Sequence, residues 1–245
     1  MDNEEISRIA HTGHPIKAPL GDESVSRLLA HALPHGDGRA LDLGCGTAEW
    51  LLRVLAAHPK ARAEGVDIAE GSLAQARQAA QERGVGDRLA LHHASAADFA
   101  PDHGFDLVLS VGSAHAFGGL LPTLEGARAH LAPGGRVLIG DGYWQSTPTP
   151  EAIEMLGDFT DLAGTLDRVT AAGWTPVYAH SSTRHELDDY EWTLWGALAD
   201  WALDHPEHPD AAEALATAGQ RREEWLRGYQ ESFGFVCLVL RRTHE

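Results

Sequence analysis

One stretch constrains this chain more than any other. The apolar run Ala40-Leu41-Asp42-Leu43 breaks into the turn Gly44-Cys45-Gly46-Thr47, and Ala48-Glu49-Trp50 opens an amphipathic segment. The pattern predicts a strand, a tight loop and a helix start. Gly44 and Gly46 can take backbone angles that a Cβ forbids, so a ligand can lie against the main chain. The helix start behind the loop adds free N–H groups and a partial positive charge. A Gly-x-Gly by itself also serves purely steric turns, so its meaning depends on what surrounds it.

The surroundings are those of an alternating α/β chain. Gly65-Val66-Asp67-Ile68 reads as a second short strand ending in an acid. Asp67 stands about 20 residues beyond the loop, where nucleotide-binding α/β units place the carboxylate that receives ribose hydroxyls. The same position also suits an acidic helix cap. Further strands are expected at Leu89–His92, Phe105–Ser110, Arg136–Gly140, Trp174–His180 and Phe235–Leu240. Helices are expected at Ser24–Leu33, Ser72–Arg83 and Leu120–Leu131, the last stopped by Pro133-Gly134-Gly135. In the second half, helices are expected at 149–157, 161–173, 188–204 and 209–228. This alternation predicts a parallel sheet covered on both faces, with ligands outside the carboxyl ends of the strands. Trp192, Trp195 and Trp201 share one helix, a spacing that core packing and a binding box both use.

Composition narrows the partners. The chain of 245 residues is 43% hydrophobic, enough for a substantial core, and carries a formal net charge of −17. So acidic a surface repels nucleic-acid backbones and anionic lipid. Cys45 and Cys237 stand in apolar contexts, with no metal knuckle or disulfide framework, which fits a reducing compartment. The acidic start Met1-Asp2-Asn3-Glu4-Glu5 lacks the character of a secretory signal, and no apolar run is long enough to span a bilayer. The expected location is cytoplasmic. His11 and His14 flank the break at Gly13 and Pro15. Three readings fit them: half of a metal site, exposed loop histidines, or a flap over a ligand mouth.

Together these motifs resemble a family. Asp42-Leu43-Gly44-Cys45-Gly46, Asp67 after a second strand, Phe105-Asp106-Leu107-Val108 and Leu131-Ala132-Pro133-Gly134-Gly135-Arg136 resemble a class I S-adenosylmethionine-dependent methyltransferase over residues 38–142. Gly13-His14-Pro15 and Gly142-Tyr143-Trp144 further resemble a bacterial subgroup acting on small molecules. The resemblance implies a Rossmann-like three-layer α/β sandwich. Its sheet has seven strands in the order 3-2-1-4-5-7-6 with the last antiparallel, and a helical insertion forms a lid. It implies one domain over 1–245: a helical cap at 1–35, the core at 36–182, the insertion at 183–234 and the last strand at 235–245. It implies S-adenosyl-L-methionine as cofactor, with S-adenosyl-L-homocysteine as product. Gly44, Cys45 and Gly46 would wrap the methionine part, with Asp42 orienting the loop and the ammonium. Asp67 would hold the ribose hydroxyls and Ile68 the adenine face. Ser95 and Ala96 would border the adenine amino group, and Val111 and Gly112 would lie near the methyl.

The chain departs from the family at Ala48, the third glycine position, and at Ser95, where an acid is common; Asp98 would be that acid shifted along the loop. The expected reaction is in-line methyl transfer to a small-molecule acceptor, with alignment and exclusion of water as the main tasks. His115 after the fourth strand is the first choice of base, Tyr143 with Trp144 would pack on the acceptor, and His14 would close over it. No metal is expected, and neither nucleic acid nor membrane is an expected partner; the protein would be a monomer or homodimer. The alternative is a non-catalytic S-adenosylmethionine-binding protein, a sensor or docking module.

Overall fold

The computed structural model describes residue 1 and residues 3–244, excepting the side chains of residues 3, 4 and 115. Its strands are β1 (Arg39–Leu43), β2 (Arg62–Asp67), β3 (Leu89–His93), β4 (Phe105–Val111), β5 (Leu131–Trp144), β6 (Trp174–Ser181) and β7 (Phe233–Arg242). They form one seven-stranded sheet in the order β3-β2-β1-β4-β5-β7-β6. β1 pairs in parallel with β2 and β4, and β2–β3 and β4–β5 are parallel as well. β7 runs against both of its neighbours. The Gln145 N–H donates to the Ser232 carbonyl (2.8 Å) and the Ser182 N–H to that of Phe235 (2.8 Å), joining the ends of β5 and β6 to the start of β7. The Thr243 N–H returns to the Gly173 carbonyl (3.0 Å) at the other end.

The helices are α1 (Asn3–Ala10), α2 (Asp22–Ala32), α3 (Glu49–Ala57), α4 (Glu70–Glu82), α5 (Leu120–His130), α6 (Pro150–Leu156), α7 (Leu162–Ala171), α8 (Arg184–Asp204) and α9 (Ala211–Glu223), which runs on into a π-helical turn (Glu224–Tyr229). Parallel crossovers are right-handed, so chain progress from β1 toward β3 puts helices on one face and progress from β4 toward β5 puts them on the other. β1 lies where the direction reverses, and loops after β1 and β4 part there.

The chain divides into two compact units. One comprises residues 21–141, 165–180 and 236–244. Its core is the central strands, with Leu41, Leu43, Val66, Leu107, Leu109 and Val137 all buried. Such near-continuous apolar runs are what strands covered on both faces require. The other unit comprises residues 1–20, 142–164 and 181–235. There α8 begins with a capping box: the Glu186 N–H donates to the Thr183 hydroxyl, and the Glu186 carboxylate accepts from the Thr183 N–H (2.8 Å). α8 and α9 pack through small residues, Ala202 against Ala211 and Ala214. Of the tryptophans on α8, Trp195 is buried core and Trp192 is 51% exposed.

The sheet departs from expectation at β5. That strand begins at Leu131, five residues earlier than the sequence pattern suggests, and extends through Trp144. Phe105 pairs with Leu131 but Leu107 pairs with Arg136, so Ala132-Pro133-Gly134-Gly135 bulges out of the ladder. Pro133 has no N–H to leave unpaired in such a bulge, and Gly134 takes φ +75° there. The helix breaker is therefore a bulge inside a strand. A Cβ on Gly135 would stand 2.8 Å from the Phe105 carbonyl oxygen, which is backbone and cannot yield. Gly135→Ala is expected to lower stability by about 1–3 kcal/mol, read as a shifted urea midpoint.

Candidate functional site

The loop after β1 has no helix or ladder of its own, so its amides are satisfied from neighbouring strands. The Gly44 and Cys45 N–H groups both donate to the Val66 carbonyl (2.9 and 3.0 Å), and the Gly46 N–H donates to the Asp67 carboxylate (2.7 Å). The other Asp67 oxygen accepts from the Ala69 N–H (2.8 Å) in the turn before α4, whose N-cap is Ala69. Asp67 thus anchors both the loop and the turn that follows β2. Each of its oxygens keeps lone-pair capacity for a further donor.

Glycine is required here by close approach. Gly44 sits at φ +83°, and a Cβ on it would lie 2.7 Å from the Ser113 Cβ. The Cys45 side chain tucks over β2, where a Cβ on Gly65 would stand 2.7 Å from its sulfur. Burial, reinforced by the charges of Asp42 and Asp67, pushes the Cys45 thiol well above its usual range, so it is inert packing. Ala48 occupies the third position at φ +57°, a left-handed angle that an alanine tolerates at a cost of about 1–2 kcal/mol. Among the described residues no side chain caps α3, which leaves its first amides without a capping acceptor.

Asp42 is the electrostatic oddity of the site. It is 3% exposed, and among the described residues no cation pairs with it. Burial, with a smaller contribution from Asp67, raises its pKa to about 8. A cation delivered to this carboxyl would reverse that shift.

The other expected residues stand at adjoining strand ends. Ile68 is 73% exposed, an apolar surface left open beside Asp67. The Ala94 N–H bonds the Asp67 carbonyl (3.1 Å), which brings the Ser95–Ala96 turn to the end of β2. The Ser95 carbonyl accepts from the Asp98 N–H (3.1 Å), while the Asp98 side chain is exposed. Val111 closes β4, and Gly112 follows at φ +74°. Sequence reasoning missed Ser113. Its hydroxyl donates to the Leu43 carbonyl (2.8 Å) and meets the Ser110 hydroxyl (2.9 Å), both buried. The signal was a serine pair flanking Val111-Gly112, visible only once β4 is known to neighbour β1.

Tyr143 and His14 belong to the other unit. Tyr143 is 8% exposed, with its ring packed over Gly234 so closely that no Cβ could fit there. The His14 Nδ1–H donates to the Ile16 carbonyl (2.6 Å), and its ring meets Tyr190 edge-on at 5.1 Å. With Nδ1 committed as donor, Nε2 is the acceptor nitrogen. His11 bonds the Ser7 carbonyl and the Tyr190 hydroxyl (2.8 and 3.1 Å), and burial lowers its pKa to about 4, so it stays neutral. The backbone of His115 forms part of a short 3₁₀ turn; its side chain lies outside the described residues.

Comparison with known proteins fits this arrangement. Residues 40–135 match a family model described as a methyltransferase domain. A crystal structure of a S-adenosylmethionine-dependent methyltransferase from Geobacter sulfurreducens, in complex with S-adenosyl-L-homocysteine, superposes with a TM-score of 0.89. It is 27% identical, over 97% of this chain and 98% of that one. Over residues 40–135 the chain is therefore similar to a methyltransferase domain, and its fold is that of S-adenosylmethionine-dependent methyltransferases. YjhP of Escherichia coli (strain K12) is 28% identical over 98% of this chain and 99% of its own. The 27-O-demethylrifamycin SV methyltransferase of Amycolatopsis mediterranei is 29% identical over 90% of this chain and 85% of its own.

The cofactor of these methyltransferases suits the loop: a buried carboxyl with no cation paired to it among the described residues, helix amides that no described side chain caps, and glycines admitting a chain to the backbone. The Asp42 shift also carries a stability signature. The folded pKa is raised, so the unfolded chain ionises first, from about pH 4, and stability falls until about pH 8, where the folded group ionises too. Asp42→Asn removes this loss. Its melting temperature is expected to match wild type near pH 4 and exceed it increasingly up to pH 8, measured by calorimetric scans.

Proposed function

We propose that this methyltransferase transfers a methyl group to a small-molecule acceptor by in-line displacement. The observation that carries the reading is the pair of acids beside the loop: Asp42 on β1 is buried with no cation paired to it among the described residues, and Asp67 at the end of β2 has lone pairs to spare. Bound there, S-adenosyl-L-methionine supplies an electrophilic methyl on a sulfonium and departs as S-adenosyl-L-homocysteine.

The residues divide the work by chemistry. Asp42 takes the ammonium of the amino-acid tail, and the open amides of α3 take its carboxylate. Gly44, Cys45 and Gly46 offer main chain in place of side chains. Asp67 receives the ribose hydroxyls, Ile68 covers the adenine face, and Ser95 with Ala96 borders its edge. Val111 and Gly112 line the methyl end, on a turn that Ser113 fixes to β1. His14 Nε2 is held as a bare acceptor and can take the acceptor's proton; His115 is the second base candidate, and Tyr143 packs against the acceptor. A surface carrying −17 favours neutral or cationic acceptors over nucleic acid. Among the described residues no helix is long and apolar enough to cross a membrane.

Calorimetry with S-adenosyl-L-homocysteine tests the cofactor assignment. Wild type is expected to bind, and Asp67→Ala to lose about tenfold or more in affinity, as removal of a charged hydrogen-bond acceptor costs about 1.5–3 kcal/mol. Equal binding by wild type and Asp67→Ala sinks the assignment. Because the ligand brings a cation to Asp42, binding at pH 7 is expected to release up to about one proton, seen as a dependence of the heat on buffer ionisation. Asp42→Asn should abolish that dependence. His14→Asn is expected to slow turnover by about 10²–10⁴ toward an acceptor found by mass shift, with S-adenosyl-L-homocysteine affinity unchanged.

A further inference from the structure

A cavity of about 280 Å³ opens at the amino ends of β1, β2 and β3, the end of the sheet away from the glycine loop. Its lining lies wholly within the unit that includes residues 21–141. Two arginines stand side by side in its wall. Arg39 opens β1, Arg62 opens β2, and the two are register partners in the parallel ladder. Both are exposed, and among the described residues neither guanidinium makes an ion pair or a hydrogen bond; Arg39 is attracted by the more distant charge of Asp102. The chain carries 36 acids for 19 lysines and arginines, so partners are plentiful elsewhere. Neighbouring like charges repel unless an anion lies between them.

The rest of the wall is fixed by its own bonds. Arg88 donates to the carbonyls of Leu55, His58 and Ala61 (2.9, 3.0 and 3.2 Å). One Glu64 oxygen meets the Nε2 of His92 and the other the Nε2 of His103 (2.9 Å each), and the Nδ1 of His103 meets Asp102 (2.9 Å). Asp87, in the 3₁₀ turn before β3, completes the polar lining. Side chains already held in place lose little freedom when a ligand arrives.

We infer that this cavity is a second ligand site, separate from the cofactor loop, and that it takes a small phosphomonoester with a hydroxyl-bearing body, a sugar phosphate in kind. The phosphate lies on the Arg39–Arg62 pair, and the hydroxyls donate to the carboxylates of Glu64 and Asp87. The inference stands apart from the methyltransferase reading.

The chemistry selects this class. A phosphate dianion offers enough oxygens for two guanidinium forks at once. Three arginines against Glu64 and Asp87 leave the lining net positive, within a chain of formal charge −17. A free cation is repelled by the arginine pair. A neutral hydrocarbon strands every charged group in the wall. Glu64 keeps lone pairs beyond its two imidazoles, and carboxylates accept from hydroxyls. Nucleic acid shares the phosphate, but the charge of the whole chain repels a long polyanion, and a cavity of this volume sits at the small end of ligand sites.

Glucose 6-phosphate, inorganic phosphate and glucose make the test, by calorimetric titration at low ionic strength. Wild type is expected to bind glucose 6-phosphate at least tenfold tighter than inorganic phosphate, with no binding of glucose at the same concentrations. Arg39→Gln and Arg62→Gln should each weaken glucose 6-phosphate about fivefold or more. Asp87→Ala should weaken it severalfold and leave inorganic phosphate unchanged. Excess S-adenosyl-L-homocysteine should leave the affinity as it was. Inorganic phosphate binding as tightly as the sugar phosphate, unaltered affinity in both arginine variants, displacement by S-adenosyl-L-homocysteine, or no binding at millimolar glucose 6-phosphate overturns the inference. The comparison among the three probes on wild type decides the matter even where a variant does not fold.

Discussion

The Val66 carbonyl and the Asp67 carboxylate, at the end of β2, hold three successive amides of the loop that leaves β1. Buried main-chain groups must find partners, and a turn too tight to pair with itself has to borrow them. Everything else at this end of the sheet follows from that loan. β1 must lie beside β2 for the bonds to form. Ser113 must come off β4 on the other side to occupy the Leu43 carbonyl. Gly44 and Gly65 must lack a Cβ because Ser113 and Cys45 stand where it would go. The loop is rigid because three strands hold it, and rigidity is what a site needs if it is to orient a ligand without reorganising.

Asp42 shows the opposite design. It is buried in β1 just before the loop, and among the described residues no cation pairs with it. Such a group destabilises the ligand-free fold at neutral pH and is restored only by a cation from outside. Stability is thus sacrificed where affinity is gained, a trade common at binding sites.

Much of this was legible in the chain. The glycine turn, the acid at Asp67 and the alternation of apolar runs with amphipathic ones identify the sheet and the cofactor end, because backbone constraint and periodicity are local properties. The same local reasoning went astray at Pro133-Gly134-Gly135. As a helix stop it was sound, since a proline cannot continue a helix. That the strand had already begun at Leu131 depends on pairing with Phe105, a residue distant in sequence. Likewise the tryptophans of α8 look alike in sequence, but the fold buries Trp195 and leaves Trp192 largely open.

The sequence by itself determined the order of elements, the Gly-x-Gly loop and the identity of the acids at the strand ends, since each is written in spacing and residue type. Tertiary structure decided what those acids are. Whether Asp42 is charged, whether Asp67 anchors a loop and whether His14 commits its Nδ1 to a carbonyl depend on burial and on partners fixed by the folded chain. Those are properties of neighbourhoods in space, and a side chain's chemistry is set there because desolvation and hydrogen bonding act through distance and not through chain order.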